Sequence, residues 1–183
     1  SERQWVGVVG EGMDTSHRAT GIDTDADGNS YVVGHYKTDT PAWNVFVAKF
    51  DGSGNLAWRK NLPTDHEDET FPGDPPTPDT DYQDIEVSNG AIYIAADRGA
   101  GSSSGDGPLP ATPNNNSAAM IVQLDTDGNV QQTHYVAEES GAHWRGVGLD
   151  IDSDGNIYLL GTSDSERFSS NDEPHLFVAK FSS

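Results

Sequence analysis

The chain has 183 residues and carries 30 Asp plus Glu against 10 Lys plus Arg, a net charge of −20. The length holds one domain with a buried core, and the charge excludes duplex nucleic acid as a general partner, because phosphate contacts need clustered cations. Cys is absent, which excludes a disulfide framework and thiol chemistry, and no run reaches the roughly 18 apolar residues of a membrane span, so membrane insertion is not expected.

From the N-terminus onward the apolar residues come in short bunches. The first holds Trp5, Val6, Val8 and Val9 and predicts a strand over residues 5–10. The chain opens on Ser1 without a signal-like apolar core, which reads as the start of a mature or excised piece. Further strands are predicted over 18–24, 30–36, 44–51 and 55–62, then over 82–88, 91–97, 118–125 and 129–136, and last over 145–151, 156–162 and 175–182. All are rich in Val, Ile, Tyr or Phe and bounded by Gly, Asn or Asp. No window sustains a 3.6-residue period, so no helix is expected. Gly28-Asn29, Gly54-Asn55, Gly128-Asn129 and Gly155-Asn156 read as hairpin turns, since Gly and Asn tolerate positive φ. Two stretches break the pattern: 63–80 is rich in acid and proline, 99–117 in Gly, Ser, Pro and Asn. Both read as loops within one domain.

The strands belong to an internal repeat. Residues 18–34 align with 145–161 without a gap, each passing through Asp-x-Asp-x-Asp-Gly-Asn to a Tyr, two aliphatics and a Gly; a weaker copy covers 82–96. Ile22, Ile85 and Leu149 are equivalent. A second shared segment follows each copy at 44–51, 118–125 and 175–182, and a third follows the first two at 55–62 and 129–136. Four antiparallel strands joined by tight turns form the unit of a β-propeller blade. The fold class expected is therefore all-β, β-propeller-type, with three four-stranded antiparallel blades: blade 1 over about 18–62, blade 2 over about 82–136 and blade 3 over about 145–183. Blade 3 lacks a fourth strand. Trp5 aligns with Trp58 and Val9 with Leu62, so the N-terminal strand 5–10 is expected to complete that last blade. Propellers usually have four to eight blades, so either the chain is cut from a longer one or copies associate, and the expected association is exchange of this strand in a closed six-blade dimer or an open filament.

The run Ile-Asp-x-Asp-x-Asp-Gly-Asn-x-Tyr-Val-Val-Gly, followed by Phe-Val-Ala-Lys-Phe-Asp and a Gly-Asn turn, resembles the SBBP family of bacterial and archaeal β-propeller repeats. The resemblance covers roughly residues 5 to 183. The middle copy departs from it, with Ser88-Asn89-Gly90 for the acidic turn and Gln123 for the Lys. The resemblance implies a propeller fold and a secreted or cell-surface setting. It carries no catalytic residues with it.

Two turns hold the strongest chemical signal. Asp23, Asp25 and Asp27, and likewise Asp150, Asp152 and Asp154, place carboxylates at alternate positions before a Gly, as the start of a Ca²⁺ loop does. They are the expected metal ligands, with Ca²⁺ as the cofactor; an ordinary Asp- and Gly-rich turn is the competing reading. Asp125 and Asp127 supply only two carboxylates and read as a plain turn. The His residues form no metal-ligand pair. Trp43 and Trp144 lie near loops and suit stacking on sugars, while Trp5, Trp58 and the strand Tyr residues suit packing between blades. Asp81, Asp84 and Glu86 flank a first strand, the one that lines the channel of a propeller, and an acid pair there is the sole catalytic candidate.

The function these features predict is non-catalytic: an extracellular structural or adhesive module that self-assembles with copies of itself by strand complementation and is stabilised by Ca²⁺. The alternative is a glycan- or peptide-binding module using the loops 63–80 and 99–117. Abundant Asp with scarce Lys also suits saline surroundings, where salt screens the charge.

Overall fold

The computed structural model describes residues 2–9, 17–37, 43–62, 80–98, 118–136, 143–164 and 175–182. Eleven strands lie in these segments: β1 His17–Thr24, β2 Ser30–Lys37, β3 Trp43–Phe50, β4 Leu56–Leu62, β5 Thr80–Ser88, β6 Ala91–Arg98, β7 Ala118–Asp125, β8 Val130–Val136, β9 Trp144–Ile151, β10 Ile157–Ser163 and β11 His175–Phe181. They pair antiparallel into three sheets, β1-β2-β3-β4, β5-β6-β7-β8 and β9-β10-β11. Each sheet follows one copy of the repeat. The bulges repeat as well. Thr20, Gln83 and Val147 occupy the same position in the three copies, and each is the extra residue of a first strand against its second.

Residues 2–9 depart from expectation. They form no strand and do not join β11, so the third sheet has three strands among the described residues. Trp5 instead stacks on Phe50 of the first sheet, with ring centroids 6.3 Å apart. Gly7 lies so close to the Phe50 ring that no Cβ would fit, and Val9 packs on the cluster of Tyr36, Phe46, Ala48 and Phe50. Aromatic rings on the outer face of the first sheet hold this segment.

The sheets stack face to face in chain order. Strand alternation sends Tyr31, Val33, Val45 and Val47 to one face of the first sheet, where they meet Ile85, Ile92, Ile94, Met120 and Val122 of the second. The second sheet turns Ala95, Ala119 and Ile121 the other way, onto Leu149, Leu159 and Phe177 of the third. Removing one such aliphatic side chain from water stabilises by about 1.5–3 kcal/mol, so these two seams hold most of the fold's apolar gain. The first strands lie side by side, β1 against β5 and β5 against β9. The result is an all-β, propeller-like stack of three antiparallel sheets.

Strand pairing also sorts the connections. The tight turns at 25–29, 51–55, 88–91, 125–129 and 152–156 lie at one end of the sheets. The segments 38–42, 63–79, 99–117, 137–142 and 165–174 all attach at the other, because Thr80 pairs with Arg98 and Arg98 with Ala118 at that end.

Candidate functional site

Four of the tight turns share one construction. In the first, the Gly28 amide donates to the Asp25 carbonyl at 3.1 Å and the Asp25 amide to the Asn29 carbonyl at 3.0 Å, with Gly28 at φ 81°. Asp51–Asn55, Asp125–Asn129 and Asp152–Asn156 repeat the pattern. Glycine is needed there because this left-handed conformation strains a side chain. The hairpin turns expected at Gly28-Asn29, Gly54-Asn55, Gly128-Asn129 and Gly155-Asn156 are thus turns closed by Asp and Asn. Among the described residues the one two-residue turn is Asn89-Gly90 of the middle repeat, and Asn89 is the one non-glycine residue there with positive φ, at 50°.

The Asp that opens each turn is its hub. Oδ1 of Asp25 accepts the amides of Asp27 (3.0 Å) and Asn29 (2.9 Å). Its Oδ2 accepts the Asn29 side-chain amide (2.8 Å) and the Tyr31 hydroxyl (3.1 Å). Asp152 does the same with Asp154, Asn156 and Tyr158. At Asp125 the place of the Tyr hydroxyl is taken by the Gln131 side-chain amide, at 2.9 Å. Burial works against the charge of Asp25, but the bonds from Asn29, Tyr31 and Asp27 outweigh it and lower its pKa. The Asn156 side chain holds Asp152 down to about 2, aided by the Asn156 amide and Tyr158. Lys180 stands 3.8 Å from Asp152 and over the Tyr158 ring.

The carboxylates expected to share a cation therefore face different tasks. Asp23 accepts the Val87 amide of the second sheet at 2.7 Å, Asp25 closes its own turn, and Asp27 is exposed. In the third repeat Asp150 accepts the Ile151 amide at 2.9 Å, Asp152 closes its turn and Asp154 is exposed. Among the described residues no group of three or more His, Asp or Glu side chains is arranged to hold a metal ion. As they stand, these oxygens fit Asx-type turns, and Ca²⁺ would require Asp25 and Asp152 to give up bonds they already make.

A second acidic group sits on the first strands. Asp84 accepts the Ile85 amide at 3.0 Å and, across the seam, the Leu149 amide of the third sheet at 3.1 Å. Asp23 and Asp84 thus stitch first to second and second to third sheet. Glu86 lies among them. Burial, then the charges of Asp23, Asp84 and Asp150, and a hydrogen bond to Asp23 push its pKa up to about 7. Glu86 is half-protonated near neutrality, as a general acid is, but the nearest carboxylates are engaged in holding sheets together. The side chain of Asp81 lies outside the described residues.

Trp144 is a correction. It is buried, edge-to-face with Phe177 at 5.2 Å, and is core rather than a sugar platform. Trp58 is a seam residue as expected, packed against the first seam's core and donating its indole N–H to the Thr126 carbonyl at 3.1 Å. The side chain of Trp43 and the segments 63–79 and 99–117 lie outside the described residues. The turn hubs Asp51 and Asp125, with their partners Asn55 and Asn129, escape a search for metal ligands. An Asp followed four residues later by Asn, with Gly between, is the signal that finds them.

No family model matches the chain. No curated protein matches it. Among solved structures it is similar to the Hadza microbial sialidase Hz136, with a TM-score of 0.58 and 14% identity over 90% of this chain. The chain spans 35% of the length of that protein. At this identity the likeness concerns the fold alone: an all-β, propeller-like stack of sheets.

Proposed function

We propose that the chain is a non-catalytic, extracellular binding module of propeller type, holding a carbohydrate or a peptide at the end of the sheets where 63–80 and 99–117 attach. The observation that carries this reading is the placement of those attachments. Both long segments spring from adjacent strand ends of the middle sheet, where Thr80, Arg98 and Ala118 pair in one row. Binding surfaces gather where a rigid sheet scaffold presents its longer loops together. The net charge of −20 favours a neutral or cationic ligand over an anionic one. The test is a screen of the 183-residue chain against neutral, amino and acidic glycans and against basic peptides, followed by titration calorimetry. Saturable binding is expected, lost when 99–117 is replaced by a short Gly-Ser linker that leaves the melting temperature unchanged. Binding that survives the replacement overturns the reading.

One observation favours a second role, self-assembly by strand complementation. Among the described residues β11 has no neighbour on its outer edge, and unpaired edges template association. Light scattering should find a mass above that of one chain, and deleting residues 1–10 should return it to one.

A further inference from the structure

The two seams inside the chain are built alike, and the same surfaces recur, uncovered, at its two ends. Val33, Val45 and Val47 of the first sheet are 0% exposed because the second sheet covers them, and their equivalents Ala95, Ala119 and Ile121 are 0% exposed under the third. The equivalent residues of the third sheet are Leu160, Leu176 and Val178. They are 42%, 76% and 67% exposed. The opposite end shows the complementary gap. Ile85 and Leu149 are 1% and 7% exposed, each beneath the preceding sheet, whereas their equivalent Ile22 is 66% exposed.

We infer that the outer face of the third sheet is an interface for the outer face of the first sheet of a second copy, joined head to tail as the internal seams are joined. The inference rests on the self-assembly reading and names its surfaces. Three features select a second copy as the occupant. The third sheet lacks the kind of face that covers its two predecessors, and the first sheet of this chain carries such a face. On its outer face Phe50 lies under Trp5 and Gly7, and Val9 packs on the Tyr36–Phe46 cluster, beside the Arg59 guanidinium that sits over Tyr36 and Phe46. Residues 2–9 form no strand, and Trp5, Val6 and Val8 remain exposed. Moving that segment beside β11 of the neighbour would uncover Phe50 and fill the edge in one step. The polar pattern continues too. Asp23 accepts the Val87 amide across the first seam; Asp150 holds the position of Asp23, and Thr24 that of Val87, so Asp150 of one copy would accept the Thr24 amide of the next. Such an interface is heterologous, closing into a ring or running on as a filament.

The test uses two variants of the 183-residue chain, Leu176→Asp with Val178→Asp, and Ile22→Asp, all at exposed positions, with circular dichroism confirming the fold. Light scattering on dilution series gives the masses. The intact chain is expected to associate, and each variant alone to be weakened on the order of 100-fold and to run as single chains, since buried unpaired charge at a seam is costly. An equimolar mixture of the two should form dimers, because one unaltered third-sheet face then meets one unaltered first-sheet face. An intact chain that stays single at all concentrations overturns the self-assembly reading and with it this inference; flanking sheets of a longer chain would then cover the face. An intact chain that associates while both variants do so equally well leaves self-assembly standing and overturns the interface. Variants that fail alone and also fail when mixed overturn the head-to-tail geometry in favour of a like-with-like contact.

Discussion

Glu86 shows how a residue's role follows from its neighbours. Its carboxyl is pushed from an ordinary 4.5 to about 7 by burial and by Asp23, Asp84 and Asp150. A group whose folded pKa is raised contributes stability that is fully present below the unfolded value and is lost as pH rises through the folded one. Folding should therefore weaken between about pH 4.5 and 7 on account of Glu86. In Glu86→Gln that loss disappears. The stability of the variant relative to the parent, from urea melts, should rise by about 1–2 kcal/mol between pH 4 and pH 8 once solvent screening is allowed for. Titrations common to both proteins cancel, so a flat difference would show that Glu86 is not coupled to the three Asp residues. The sequence places Glu86 on a first strand but not among these partners, because Asp23 and Asp150 come from other sheets, more than 60 residues away in the chain. The Asp-rich turns were legible as turns, since Gly28 and Gly155 announce their backbone. That each opening Asp spends its oxygens on local amides was legible only in the Asp-to-Asn spacing, which alternate-position counting passes over.

At the scale of elements the repeat predicts strands better than it predicts their neighbours. All eleven observed strands fall on aligned segments, because short β-branched and aromatic runs between Gly turns have few alternatives. The twelfth, at 5–10, has the composition of a strand, yet a strand needs a partner, and in a single chain Phe50 and its aromatic neighbours compete successfully for Trp5. Composition records apolar character and leaves the receiving surface open. The same repeat position accordingly behaves oppositely in two sheets. Ile121→Ala opens a cavity in a sealed seam and should cost about 2–5 kcal/mol. Val178→Ala, on the open face, should change monomer stability by no more than about 0.5 kcal/mol. Chemical denaturation of both at low protein concentration checks this. A large loss at Val178 would mean that the outer face is already covered in solution.

For the whole molecule the decisive quantity is charge. A net −20 on 183 residues repels both the parts of one chain and any second copy, so apolar seams must overcome a long-range opposing term. Salt reduces that term: the screening length falls from about 10 Å at 0.1 M to about 3 Å at 1 M. Melting temperature should therefore rise with NaCl, and the dissociation constant between copies should fall by about tenfold or more over the same range. Calcium enters the same experiment as a competitor. If the acidic turns act as hydrogen-bonded turns, with Asp25 and Asp152 already satisfied by Asn29 and Asn156, then CaCl₂, MgCl₂ and NaCl at equal ionic strength should differ only as screening ions do. If millimolar CaCl₂ raises the melting temperature well above MgCl₂ at matched strength, and Asp25→Asn with Asp152→Asn removes the excess, the turns reorganise around the cation, and the carboxylates of these loops are ligands as their spacing in the chain suggests.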